Sequence, residues 1–174
     1  MTIATKFGES FSQIREKLKF KTIHIEIEEE EIKFDLKIRV PLKAEIEEIT
    51  NRIMNPDTNR IDEFYKEYTA ELEKTIEENG EEFLSAINSE KAVLVRTNDD
   101  IIVDGNSLRH FARLSIMERV RIEEYFHLLQ SETGAPVNES YEQIIEEFPE
   151  AIVKLIASKI EEALKPDYNA TKKD

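Results

Sequence analysis

The chain has 174 residues, a formal net charge of −14, four glycines and no cysteine. The length suits one domain with a real core, and the missing cysteines remove disulfides, thiolate nucleophiles and cysteine-type zinc sites together. An acidic surface of this kind repels phosphate backbones and anionic lipid, so neither nucleic acid nor membrane is an expected partner.

The first element is a helix over "ESFSQIREKL", with Ser10 as N-cap, Gln13 completing a capping box, and Phe11, Ile14 and Leu18 at helical spacing. The period then changes to two. In "KTIHIEIEEEEIKFDLKIRV", Ile23, Ile25 and Ile27 share one strand face, and Ile32, Phe34, Leu36, Ile38 and Val40 share another. A hairpin over about 22–40 pairs Ile27 with Ile32, Ile25 with Phe34 and Ile23 with Leu36. The same register sets Glu26 opposite Lys33 and His24 opposite Asp35, so the apolar and polar pairings agree. The turn falls at Glu29–Glu30, or in a four-residue loop from Glu28 to Glu31. The alternating Glu26, Glu28 and Glu30 read most simply as the wet face of an edge hairpin, the alternative being an acidic strip for a basic partner.

Pro41 ends the strand. A helix follows in "KAEIEEITNRIM", where Ile46, Ile49 and Ile53 recur, and "NPDTN" breaks it. The next helix runs from about Asp57 to Glu78 on a stripe of Ile61, Phe64, Tyr65, Tyr68, Leu72 and Ile76. Asn79–Gly80 is a C-cap signal, and "EEFLSAI" adds a short helix. A second hairpin is expected at about 92–103, turning at "TNDD", with Val93 and Val95 near Ile102 and Val103 and with Asp104–Gly105 closing it.

The segment "NSLRHFARLSIMERVRIEEYFHLL" then reads as helix, sharp turn, helix. Asn106 or Ser107 caps the first part, lined by Leu108, Phe111 and Leu114. Ser115 and Glu118 form a second capping box, so a new helix begins at Ile116. "QSETGAPVNES" is the clearest loop, Ser140 and Gln143 form another capping box, and Pro149 opens a last helix whose apolar face is Ile152, Leu155, Ile156, Ile160 and Leu164. The fold class expected is therefore α+β, mostly helical, with two β-hairpins packed against a helical bundle. It forms one domain over 1–165, followed by a mobile polar tail at 166–174.

No catalytic, cofactor or metal motif stands out. Glycine-rich phosphate loops are absent, and no serine has a nucleophile-elbow context. Glu123 and His127 have a metal-like i,i+4 spacing but no second ligand pair, and a helix-surface contact accounts for them. The helix–turn–helix outline suggests a DNA reader, yet its turn lacks glycine and its second helix carries Glu118, Glu123 and Glu124. The N-terminal "MTIATKFGES" has no long apolar run, which points to a cytoplasmic protein. The last helix has an apolar stripe with few aromatic partners of its own, so Ile152, Leu155, Ile156, Ile160 and Leu164 are the candidate partner-binding residues.

Three segments resemble the tail assembly chaperones of long-tailed bacteriophages: "IKFDLKIRVPLKAEIEEITNRI", "VDGNSLRHFARLSIMERVRIEEYFHLL" and "FPEAIVKLIASKIEEALKP". The resemblance implies a non-enzymatic protein that needs no cofactor. Such a protein binds the tape measure protein, keeps it soluble, and helps recruit tail tube protein. It also implies self-association, residence in the host cytoplasm and absence from the mature virion. In many such phages a ribosomal frameshift makes a longer form that meets the tube protein. This chain would then be the unshifted product, with Lys172–Lys173 encoded at the slippery codons. Two other roles compete: an acidic DNA mimic, and a small head–tail adaptor. A mimic needs rows of carboxylates, whereas Glu and Lys are intermixed on most of these helices. An adaptor would be found in purified virions.

Overall fold

The computed structural model describes residues 13–14, 18–27, 31–88 and 93–165. The mobile tail expected at 166–174 and most of the expected first helix lie outside them; Gln13, Ile14 and Leu18 are helical, and both apolar side chains are exposed. The fold is α+β and mostly helical, with two small antiparallel sheets packed against helices. Its contacts fall into two compact units. One comprises Met1–Thr50 with Arg121–Asp174, and the other Asn51–Val120.

The first unit is built on the hairpin. Strands β1 (Phe20–Ile27) and β2 (Ile32–Arg39) pair in the register that the side chains specify: Ile23 with Leu36, Ile25 with Phe34, Ile27 with Ile32. The outer face repeats the agreement, with His24 Nδ1 2.6 Å from the Asp35 carboxylate and Lys33 paired with Glu26. One slip would turn every isoleucine to water, which is why the register is fixed. Residues 28–30 of the turn lie outside the described ones. Glu31 closes it at φ 53°.

Helix α1 (Lys43–Met54) follows Pro41. Arg39 holds its start with a two-pronged bond to Glu45, at 2.7 and 2.5 Å. Later in the chain come α4 (Tyr141–Glu147) and α5 (Glu150–Leu164). The Ser140–Gln143 capping box forms in both directions. Helix α5 packs on β1 and buries Val153, Ile156, Ala157 and Ile160. Lys21 of β1 donates to the Ala163 carbonyl at 2.6 Å, a cation placed at a helix C-terminus.

The second unit centres on α2 (Thr58–Ile87), capped by Asp57. Gly80 breaks it with φ 63° and ψ −158°, so the Asn79–Gly80 stop signal is obeyed and a short helix resumes beyond it. Strands β3 (Leu94–Arg96) and β4 (Ile101–Val103) form the second hairpin, with Leu94 opposite Val103 and Val95 opposite Ile102. A third strand, β5 (Asn106–Ser107), pairs with β4. Asp104 (φ 49°) and Gly105 (φ 79°) make the tight turn between them. Two positive φ angles in succession suit a two-residue hairpin turn, and Asp-Gly tolerates them. Ile76, Leu94 and Ile101 form the core here, with Leu72, Phe83, Leu84, Ile87, Val103 and Leu108 around them.

One expectation fails. The segment read as helix, turn, helix is a single helix, α3 (Leu108–Phe126), with no break at Ser115. A capping box is a local preference worth about 1 kcal/mol, and nothing else in the segment asks for a stop. It contains no glycine or proline, and Ala112, Ile116 and Val120 form an unbroken buried i,i+4 ridge through the supposed turn. Phe111 and Leu114, expected to line the apolar side, are 46% and 48% exposed. Ser107 is the true cap, accepting from the His110 backbone N–H at 2.9 Å.

Candidate functional site

A largely apolar opening lies in the first unit. Side chains alternate along β2, so Phe34 and Leu36 share the face of Ile38. Ile38 is fully buried, Phe34 and Leu36 are half-buried, and Ile32 is 47% exposed. The face therefore opens progressively toward the turn. Above it sits a cavity of about 290 Å³. Phe126 lines it from the end of α3, Leu129 from the segment just after it, Val137 from the loop, Ile144 and Phe148 from α4 and its cap, and Ile156 from α5.

Local chemistry places each wall. After Phe126 the helix tightens, with Leu128 and Leu129 N–H groups bonding carbonyls three residues back. The chain then pairs with the outer edge of β2. The Arg39 N–H donates to the Leu128 carbonyl at 2.8 Å, and the Gln130 N–H to the Lys37 carbonyl at 2.9 Å. Next, the loop folds on itself through Ser131, whose hydroxyl accepts from Ala135 N–H and whose carbonyl accepts from Gly134 N–H. The Glu123 carboxylate accepts from the Tyr141 N–H at 3.0 Å and so anchors the start of α4. Phe148 precedes Pro149, and a residue before proline is pushed out of the helical region. It is extended, at φ −129° and ψ 142°. That exit from the helix leaves its ring at the cavity mouth, 46% exposed. Glu139 and Glu147 are exposed lining residues, and no lysine or arginine lines the cavity.

The groups that look chemical are engaged elsewhere. In the second unit Arg109 lies over the Tyr65 ring at 4.6 Å, donates to the Asp99 carbonyl at 2.7 Å and is paired with Asp62. Its hydrogen bond to Asp62 raises its pKa further, on a guanidinium that is charged in any case. Asp100 accepts from the Ser107 hydroxyl and from the Ile101 and Arg109 N–H groups. Burial first, then the charge of Asp100, raises the Tyr65 phenol above its usual value. Arg96 and Glu73 form a further ion pair at 2.7 Å. These residues tie β3, β4 and the start of α3 to α2. Two open hollows flank them, one lined by Tyr65, Glu73, Arg96 and residues 97–100, the other by Asn55, Pro56, Thr58, Ile61, Arg109, His110 and Arg113.

Of the five residues singled out on the last helix, Ile156 and Ile160 are 3% and 0% exposed and belong to the interior. Ile156 also floors the cavity. Ile152, Leu155 and Leu164 are half-buried. The sequence reading missed Phe34, Leu36, Val137 and Phe148 as neighbours. The one available signal was the Phe148–Pro149 pair, which takes an aromatic ring out of the helical register.

Among the described residues, no group of three or more His, Asp or Glu side chains could hold a metal ion, and no helix is long and apolar enough to cross a membrane. No known family, curated protein or solved structure matches this chain.

Proposed function

We propose that this chain is a tail assembly chaperone of a long-tailed bacteriophage. In this reading it is non-enzymatic, acts in the host cytoplasm and is left out of the finished virion. It binds the tape measure protein, keeps it soluble and helps recruit tail tube protein. The observation that carries the proposal is the apolar cavity between β2, α4 and α5, rimmed by Glu139 and Glu147, in a chain of net charge −14. An apolar opening receives a hydrophobic segment of a partner, and the surrounding negative charge keeps the loaded complex dispersed. The three sequence stretches that resemble such chaperones support the same reading, and the second and third of them contribute Phe126, Leu129, Phe148 and Ile156 to the cavity.

Co-expression with the tape measure gene of the same genome tests it. The tape measure protein should stay soluble and co-purify with this chain, and purified virions should lack the chain. An insoluble tape measure protein beside a folded, unbound chain would reject the proposal, as would finding the chain in virions.

A further inference from the structure

We infer that the cavity takes a basic amphipathic helix, one bulky apolar side chain inserted between Phe34, Ile144 and Phe148 and its lysines or arginines set against Glu139 and Glu147. This rests on the chaperone reading of the same site and adds the kind of segment that the site selects. Three observations lead to it. At about 290 Å³ the space falls just under the ~300–1,000 Å³ of clefts that enclose a whole small molecule, so it suits a side chain carried by a larger partner. The lining is apolar on the floor and acidic at the rim, and Glu142 and Glu146 extend the negative charge along the exposed side of α4. The outer edge of β2 at Lys37–Arg39 is already bonded to Leu128–Gln130, which favours side-chain insertion over addition of a strand there.

The probe is a synthetic helical peptide with leucines at i, i+3, i+4 and i+7 and lysines elsewhere. Its twin carries glutamates in place of the lysines. Binding is read by fluorescence anisotropy. The lysine peptide should bind, and salt should weaken it because the rim charges are exposed. Glu139→Lys with Glu147→Lys should weaken it on the order of tenfold, from two exposed pairs lost and reversed. Phe148→Ser should weaken it as well, with the charge unchanged. Glu67→Lys with Glu71→Lys, exposed on α2, alters net charge equally and should change nothing. Equal binding to the rim variants and the α2 variants, or no effect of Phe148→Ser, would reduce the interaction to long-range attraction and overturn the inference. The two proposals fail separately. Tape measure protein held equally well by wild type and by the groove variants removes this inference alone. A groove that takes the lysine peptide beside a tape measure protein that stays insoluble removes the chaperone reading alone.

Discussion

The network around Arg109 and the cavity beside Phe148 make an instructive pair. The first collects arginine, aspartate, tyrosine and serine within hydrogen-bonding reach, which is the composition expected of a chemical site. Nearly every one of those groups is engaged by another: Arg109 by Asp62, the Asp99 carbonyl and Tyr65, and Asp100 by three donors. The second holds mostly ordinary apolar residues, and they face open space. In this protein the polar cluster builds architecture, and the plain cluster leaves an apolar space uncovered. Charged groups that satisfy one another internally have little left for a ligand, whereas an unfilled apolar pocket still gains by being covered.

Substitutions separate the two regions by what they damage. The largest effect should come from Ile156→Asp or Ile160→Asp. Each buries a carboxylate without a partner, and loss of folding of the first unit, more than about 4 kcal/mol, is expected by circular dichroism and urea titration. Asp100→Ala removes an acceptor from three donors and should cost about 2–3 kcal/mol in urea, with folded protein still binding. Phe34→Ala should cost less, about 1–2 kcal/mol, because the ring is only half-buried and already lines a space. Phe126 lines the same cavity but is only 4% exposed, and its replacement by alanine should cost about 3–5 kcal/mol. If Phe34 proves as costly as Phe126, the cavity is filled in solution.

A smaller effect concerns pH. The Tyr65 pKa is raised above 10.0 in the folded state, so its neutral form is favoured there. The stability from this shift is fully present below pH 10 and is lost as pH rises through the higher folded value. Tyr65→Phe should therefore flatten the fall in stability above pH 10. An unchanged alkaline slope would remove Tyr65 from that account.

The same contrast explains what could be read in advance. The hairpin was legible because two independent patterns, isoleucine alternation and the Glu26–Lys33 and His24–Asp35 pairs, demanded one register. The Ser140 capping box was legible because cap chemistry is local. Ser115 offered the same local pattern and was overruled by the Ala112–Ile116–Val120 ridge, whose burial depends on tertiary packing. Strand β5, at two residues, is too short for any periodicity to reveal. The cavity was least legible of all. Its walls come from Phe34, Phe126, Val137, Phe148 and Ile156, far apart along the chain, and an empty space leaves no mark on residue spacing.

In the proposed reading the cavity beside Phe148 binds the partner and the Arg109 network only supports the fold. One paired measurement tests it most directly: the amount of tape measure protein retained per folded molecule by Phe148→Asp and by Asp100→Ala, with thermal stability recorded for both. Phe148→Asp should keep the wild-type melting temperature and lose the tape measure protein, while Asp100→Ala should melt earlier and retain it. A Phe148→Asp protein that still holds its partner at the wild-type level, or an Asp100→Ala protein that is folded and cannot, would contradict it.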